Sequence, residues 1–518
     1  LANSGFNYYN DKQELVKNDK FGKYEVVSQD PLTVKYTVNS GVTWSDGVQV
    51  DAADMLLAWA ANSCLFNNVS PEYDSDGNIT NQQALDEGVF FDSASCGGGL
   101  EAVTKTPEIS EGGRAVTLVY DKPNVDWELL FGIGLSAHVT VQHAFAADNL
   151  SAADAKAKLI KAIQDKDNAT LAPIAKFWST GYDMTDMPSD KTLVTSNGAY
   201  VITDLVADKY VTLTARKDYS WGPSPKIETI TVRTIPDPLA AVQALENGEV
   251  DIISPQATAD ILTALTAIAN KGVKTLSTSD ATYEHYDLTF NNKGPFDPAT
   301  YGGDADKALK VRKAFLKTIP REDIVNKLIK PINPNAILDN SQTILPGAPG
   351  YDDMAANNGS AEYAAVDIAG AKALLAEAGV TTPVKVRFLF GCANTRRNNE
   401  YALLQASAAQ AGFEVMNNCS DDWGSLLGSG TYDAVVFGWQ STSTAVTASN
   451  STFASDGGNN LNGYANAKVD EAYAKLKVEF DKAKQLELLT AVEKELWADA
   501  YGVTVFQFPG VTAYNTNK

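Results

Sequence analysis

Histidine is scarce in this 518-residue chain: only His138, His143 and His285 occur. The side chain that most often ligates metals and moves protons near neutral pH is therefore nearly absent. No G-x-S-x-G elbow, Walker loop or H-E-x-x-H occurs, and no cysteine stands beside a histidine. The usual sequence signs of serine-nucleophile, nucleotide and zinc chemistry are missing with them. No uncharged apolar run reaches the roughly eighteen residues that a membrane-spanning helix needs. From Leu1 onward the basic, apolar, small-residue order of a secretory signal is lacking, so an exported form is expected to have lost its signal. Positive charge is in deficit too, with 42 Lys plus Arg against 64 Asp plus Glu and a net charge of −22. Such a field repels phosphate backbones, which removes nucleic acid as an expected partner.

What is present is enough for large packed cores, since 44 % of the residues are hydrophobic and 9 % aromatic. At about 150 residues per domain the length corresponds to roughly three or four domains. The four cysteines, Cys64, Cys96, Cys392 and Cys419, fall into two separated pairs with no C-x-x-C. That distribution favours two disulfides over a zinc site, and loop closure favours Cys64 with Cys96 and Cys392 with Cys419. Four buried free thiols are the alternative.

Leu32, Val34, Tyr36 and Val38 alternate as in a strand, and after Trp44-Ser-Asp-Gly47 the period turns helical from Asp51. The segment 67–100 is polar and Gly-rich and reads as a surface excursion. Helices are expected over Thr140–Ala146 and Ala152–Asp165, and strands over Ala115–Tyr120, Tyr200–Leu205, Tyr210–Ala215 and Ile227–Ile235. Helices Pro238–Asn247 and Ala259–Ala269 follow, then a strand His285–Phe290 and helices Lys307–Lys317 and Arg321–Leu328. From Ala361 helix and strand alternate (Ala361–Ala378, Val384–Leu389, Asn399–Ala411, Phe413–Met416, Ala434–Trp439), which argues for an α/β lobe. Helices Val469–Lys477 and Asp481–Trp497 lead to a last strand, Val503–Phe508.

Few motifs carry chemistry. Glu72, Asp74, Asp76 and Gly77 start like a calcium loop, but Gln83 at position twelve cannot supply the bidentate carboxylate, so a polar Asp-Gly turn is the better reading. Gly132-Ile-Gly134-Leu-Ser-Ala137 fits a dinucleotide fingerprint without the strand and long helix that such a site needs, and reads as a packing turn. Arg396-Arg397 before a helix offers a grip for an anion, against the plainer reading of a solvated helix start. Tyr283, His285 and Tyr286 open a strand and Gly438-Trp439 ends another, a placing of rigid aromatic faces that suits a ligand cleft. Ordinary core filling is the competing reading for each.

Four stretches belong together: Trp44-Ser-Asp-Gly47 with Val50-Asp-Ala-Ala-Asp54; Asn197-Gly-Ala-Tyr200 through Tyr219-Ser-Trp-Gly222; Ile235-Pro-Asp-Pro238 through Gly248-Glu-Val-Asp-Ile252; and Val311-Arg-Lys-Ala-Phe315 with Pro320-Arg-Glu-Asp-Ile324. Taken in order, they resemble the family 5 extracellular solute-binding proteins, the peptide and oligopeptide receptors of bacterial ABC importers. Gly438-Trp439, the segment 459–466 and Val469-Asp470 resemble that family's ligand segment. The likeness implies an α/β, two-lobed periplasmic-binding-protein-like fold (type II, cluster C) with an extra subdomain. Its parts would be a middle subdomain 1–190, a first lobe 191–280 plus 498–518, and a second lobe 281–497. It also implies further strands at both ends, so the termini read as trimmed.

By the same resemblance the ligand, a small molecule or short peptide, is captured between two lobes without catalysis and delivered to an ABC transporter permease. The receptor would be a monomer, extracellular and anchored to the cell surface, with no cofactor and no metal. The ligand contacts expected are Gly438, Trp439, Ser441, Thr442, Tyr283, His285, Tyr286, Asn459, Asn460 and Arg396. One departure stands out. Peptide receptors of the family place an Asp for the peptide amino terminus where this chain has Thr442, leaving Asp433 or Asp456 as substitutes, or a ligand without a free amine. Oligosaccharides and other solutes therefore stay open, as does a secreted hydrolase working with two carboxylates.

Overall fold

The computed structural model describes residues 2–10, 14–72, 79–441 and 445–517. The chain divides into two compact units, Leu1–Thr234 and Ile235–Lys518.

In the first unit, strands Gly22–Gln29, Leu32–Val38, Ala115–Val119 and Glu108–Ser110 form an antiparallel sheet in that order. A second antiparallel sheet joins Tyr200–Val206, Tyr210–Ala215 and Thr229–Arg233. Asp51 caps helix Ala52–Ser63 through a capping box whose other member is Asp54. Asp54 has no exposed surface and accepts from Trp44 Nε1 (3.2 Å), the Ala137 backbone N–H (2.8 Å) and Lys156 Nζ (3.1 Å). The Trp-Ser-Asp-Gly and Val-Asp-Ala-Ala-Asp stretches are thus tied to each other through one buried carboxylate. Helix Ala152–Asp165 lies where the pattern puts it. Helix Asn168–Thr180 was not expected; Asp167 caps it, and Pro173 inside it is what argues against a helix in the sequence. Gly132 and Gly134 have open space where a Cβ would stand, so the stretch is a plain loop into helix Ala137–Ala144 rather than a packing turn. In the proposed calcium loop, positions 74, 76 and 77 lie outside the described residues.

The second unit is built on a six-stranded sheet in the order Ile252–Ile253, Gly502–Asn515, Val273–Leu288, Ala434–Gln440, Val384–Leu389 and Phe413–Asn417. The first four pair antiparallel with one another, and Val384–Leu389 runs parallel to both of its neighbours, Ala434–Gln440 and Phe413–Asn417. Val273–Leu288, of 16 residues, and Gly502–Asn515, of 14, are far longer than the strands read from the sequence. The extra half of Val273–Leu288 is exposed on both faces (Lys274, Ser277, Thr278, Ser279), so it shows no alternation. Both strands pass through two cores. One gathers Val242, Leu245, Ile261 and Leu265 around Val273 and Val511; the other gathers Tyr286, Leu288, Phe315, Phe388 and Phe506. The pairing of the two strands breaks register between Ser279 and Tyr283, where the expected 280/281 subdomain boundary also falls.

Two helices are shorter than their patterns. Asp367 caps a helix Ile368–Ala378, so residues 361–367 are excluded from it. After Arg321–Ile324 the chain makes a π-helical turn, Val325–Ile329. Disulfides join Cys64 to Cys96 and Cys392 to Cys419, as loop closure favoured. Among the described residues no helix is long and apolar enough to cross a membrane.

Candidate functional site

Strand alternation sorts the candidates in the second unit. Tyr283 pairs with Trp439 and His285 with Phe437 across neighbouring strands, so these four side chains share one face of the sheet. The His285 ring lies 4.3 Å from Phe437, edge on, and parallel to Trp439 at 6.2 Å; Trp423 closes on Phe437 at 6.0 Å. His285 Nδ1 is 2.8 Å from Asp287 Oδ1. A nitrogen facing a carboxylate carries a proton. Among the described residues neither His285 Nε2 nor Trp439 Nε1 has a hydrogen-bond partner, although both atoms are buried. Two unused polar atoms thus lie on an aromatic wall, an arrangement that costs free energy until a polar group completes it.

Tyr286 does not join this wall. It is one residue further along the strand, so its ring enters the opposite core against Phe388 and its hydroxyl donates to Glu400 Oε2 at 3.0 Å. On that second face Glu284, fully buried, takes a bidentate pair of bonds from Arg397 Nε (2.8 Å) and Nη2 (3.0 Å). Arg396 is enclosed as well, at 3 % exposure, with Nη2 3.5 Å from Glu284, Nε 3.4 Å from Glu400, and its guanidinium 4.1 Å from the Phe508 ring centre. Its charge is therefore turned inward, not spread on a solvated helix start. Burial works against ionisation of Glu284, but Arg397 and Arg396 hold its carboxyl below the usual range. Glu400 goes the other way, pushed up to about 8 by burial and by the charge of Glu284. Gly438 faces this side too: a Cβ there would stand 2.8 Å from both the Phe508 ring and the Thr282 methyl, so the motif's glycine is demanded by close approach.

The remaining candidates scatter. Ser441 extends the strand pairing, its N–H donating to Ala281 O at 2.8 Å. Asn460 is used up inside its own loop, donating to Ala454 O and Tyr464 O and accepting from the Tyr464 N–H. Asn459 is exposed beside it and Thr442 lies outside the described residues. Asp433 is not a spare anion, because Arg387 grips it through Nε (3.1 Å) and Nη2 (2.7 Å). A cavity of about 530 Å³ opens in the same unit where Pro236–Leu239 and Gln256–Ile261 meet Ala393–Thr395, next to Arg396.

Sequence reading passed over Glu284, Glu400, Phe437 and Phe508. A signal existed for the first two: a glutamate inside an apolar alternating strand, and Arg396 with Glu400 four apart on one helix face. Among the described residues no group of three metal-ligating side chains converges.

The family model described as "Bacterial extracellular solute-binding proteins, family 5 Middle" matches residues 22–460. A lipoprotein of Mycobacterium tuberculosis is 24 % identical over 516 residues, 95 % of this chain and 80 % of its own length. The oligopeptide-binding protein OppA of the same species is 22 % identical, over 97 % of this chain and 74 % of its own. Among solved structures, the periplasmic EDTA-binding protein EppA superposes with a TM-score of 0.74 at 21 % identity, covering 99 % of this chain and 85 % of that one. AppA from Bacillus subtilis, in complex with a nonapeptide, gives 0.67 at 16 %, covering 100 % and 89 %.

Proposed function

Because the chain belongs to the bacterial extracellular solute-binding proteins of family 5, we propose that it captures a short peptide outside the cell and hands it to the permease of an ABC importer. OppA and AppA, named for or solved with peptides, support the ligand class, and the lipoprotein relative supports anchorage at the cell envelope. Within the fold we retain the three-part division 1–190, 191–280 with 498–518, and 281–497, and a monomeric receptor without catalysis.

The observation that carries the reading is the wall of Tyr283, His285, Phe437 and Trp439 with its unpaired Trp439 Nε1 and His285 Nε2. A peptide offers what such a wall lacks, since every residue brings both an N–H and a carbonyl. We retain Gly438, Ser441, Thr442 and Asn459 as further ligand contacts of this proposal, while Tyr286 and Arg396 belong to the opposite face of the sheet and Asn460 to its own loop.

A second reading rests on the carboxylates. Among the described residues, Asp287 on the wall's own face bonds His285, and Glu284 on the opposite face is paired to Arg397, so neither is free to neutralise an amine. That favours a neutral solute, such as an N-blocked peptide or an oligosaccharide. Mass spectrometry of the co-purifying ligand, with calorimetry of free and N-acetylated forms of one peptide, separates the readings. A peptide receptor retains peptides and leaves them intact. Thr442→Asp should favour the free amine by supplying the anion that a buried ammonium requires. Recovery of a non-peptide ligand, or cleavage of the added peptides, overturns the proposal.

A further inference from the structure

A second cavity in the same unit, of about 750 Å³, has no part in the aromatic wall. Its walls come from the turn after Phe290, the start of helix Ala305–Leu316, the residues following helix Ile368–Ala378, and strand Val384–Leu389. Four cations line it, Lys293, Lys307, Lys385 and Arg387, with one carboxylate, Asp433. In a chain of net charge −22 this is a local reversal of sign.

The carboxylates nearby do not cancel it. Asp433, nearly fully buried, accepts four bonds, from the Arg387 N–H, Nε and Nη2 and from Asn292 Nδ2. Asp297 turns its two oxygens onto the backbone N–H groups of Lys293 and Ala299, and Asp304 caps its helix at the Lys307 N–H. Glu414 reaches Lys385 only at 4.0 Å. Among the described residues Lys293 and Lys307 form no ion pair, and Lys307 Nζ lies 5.2 Å from the Tyr301 ring centre.

The turn is built to hold this arrangement. Lys293 sits in the left-handed region at φ 58°, a conformation that favours glycine. Gly294 follows because a Cβ there would meet Asp433 Oδ1 at 2.1 Å. A lysine is thus kept at a position where glycine would be easier.

We propose that this cavity binds a phosphate-bearing anion through the ammonium groups of Lys293, Lys307 and Lys385, with Arg387 held in place by Asp433. Three point charges around an open cavity suit a polyvalent oxyanion better than a single planar carboxylate, which bidentate arginines recognise. The phosphate can belong to a free molecule or to an anionic lipid headgroup. The inference is independent of the peptide reading, whose wall shares no residue with the cavity.

Pyrophosphate titrated calorimetrically and vesicles of phosphatidylglycerol in co-sedimentation are the two probes. Pyrophosphate should bind with sub-millimolar affinity at 50 mM salt and lose at least tenfold in Lys293→Ala/Lys307→Ala. Lys482→Ala, an exposed lysine on another helix, should bind as wild type does. Vesicle binding lost in the double variant, with no pyrophosphate binding, assigns the headgroup; the converse assigns a free phosphate. Binding of neither probe, or equal loss in the double variant and in Lys482→Ala, overturns the site. Retention of the co-purifying ligand by the double variant shows that its failure is separate from failure of the peptide reading.

Discussion

Replacing Glu284 by Gln tests whether the second face of the sheet is held by charge. Glu284 is fully buried, and the substitution keeps its shape while leaving Arg397 and Arg396, at 7 % and 3 % exposure, without their nearest anion. Removing one partner of a buried ion pair costs about 3 to 5 kcal/mol, because the remaining charge stays desolvated. Glu400 offsets part of this. Its carboxyl, pushed up to about 8 by burial and by Glu284, loses its like-charged neighbour in the variant and ionises against the arginines at neutral pH. The expected loss is then roughly 2 to 4 kcal/mol at pH 7.

The pH dependence has a definite sign. A carboxyl held below its ordinary value stabilises the fold above the unfolded-chain value near 4.3, and that contribution disappears as pH falls through the native value. Wild type and Glu284→Gln should therefore differ fully above about pH 5 and converge on acidification. Urea unfolding, with hydrogen exchange of the strand Val273–Leu288 as a local readout, measures both. A loss under about 1 kcal/mol at pH 7 would refute the reasoning, since that is the worth of a surface pair. So would a difference that persists at low pH, or strict additivity with Arg397→Met in a double-mutant cycle.

Glu400→Gln should match wild type near pH 4 and exceed it in urea stability near pH 9. A native value raised to about 8 means that wild type loses stability as pH rises from the unfolded-chain value through 8, at up to about 1.4 kcal/mol per unit. Trp439→Ala should weaken ligand binding by about 2 kcal/mol or more in calorimetry and abolish any ligand-induced change in tryptophan emission; unchanged affinity in a folded variant moves the site elsewhere. Cys392→Ser/Cys419→Ser opens a loop of 27 residues and should lower stability by about 3 kcal/mol in the chain-entropy model, with peptide mapping of the unreduced parent showing both bridges.

Much of the fold was legible because the stretches that carry the family likeness do structural work. Trp44 and Asp54 bond each other. Arg312 donates to Phe296 O and Asp499 O, and Arg321, in the second arginine stretch, to Thr504 O, Tyr363 O and Asp339 O. Such residues fix chain crossings whatever the ligand, so they report architecture and leave specificity unread. Periodicity found the strands and helices whose two faces differ in polarity. It failed where they do not, as in the exposed first half of Val273–Leu288, and where a cap decides, as Asp167 and Asp367 do.

The site was harder because adjacent letters face opposite ways. In Tyr283-Glu284-His285-Tyr286 the alternation sends the first and third residues to the aromatic wall and the second and fourth to the charged core, so one apparent cluster is two. Gly438-Trp439 splits in the same manner: the glycine admits Phe508 on one face while the indole lies on the other. The wall and the core therefore share a backbone, and the Arg397–Glu284 pair behind Gly438 fixes the strand on which Tyr283 and His285 are displayed. Loosening that pair should displace the wall without touching it, lowering ligand affinity in Glu284→Gln even where Trp439 is intact. Calorimetry on the folded Glu284→Gln/Glu400→Gln variant, in which no ionised Glu400 can restore the pairing, is the stringent form of that test: affinity equal to wild type there would show that the two faces are mechanically independent.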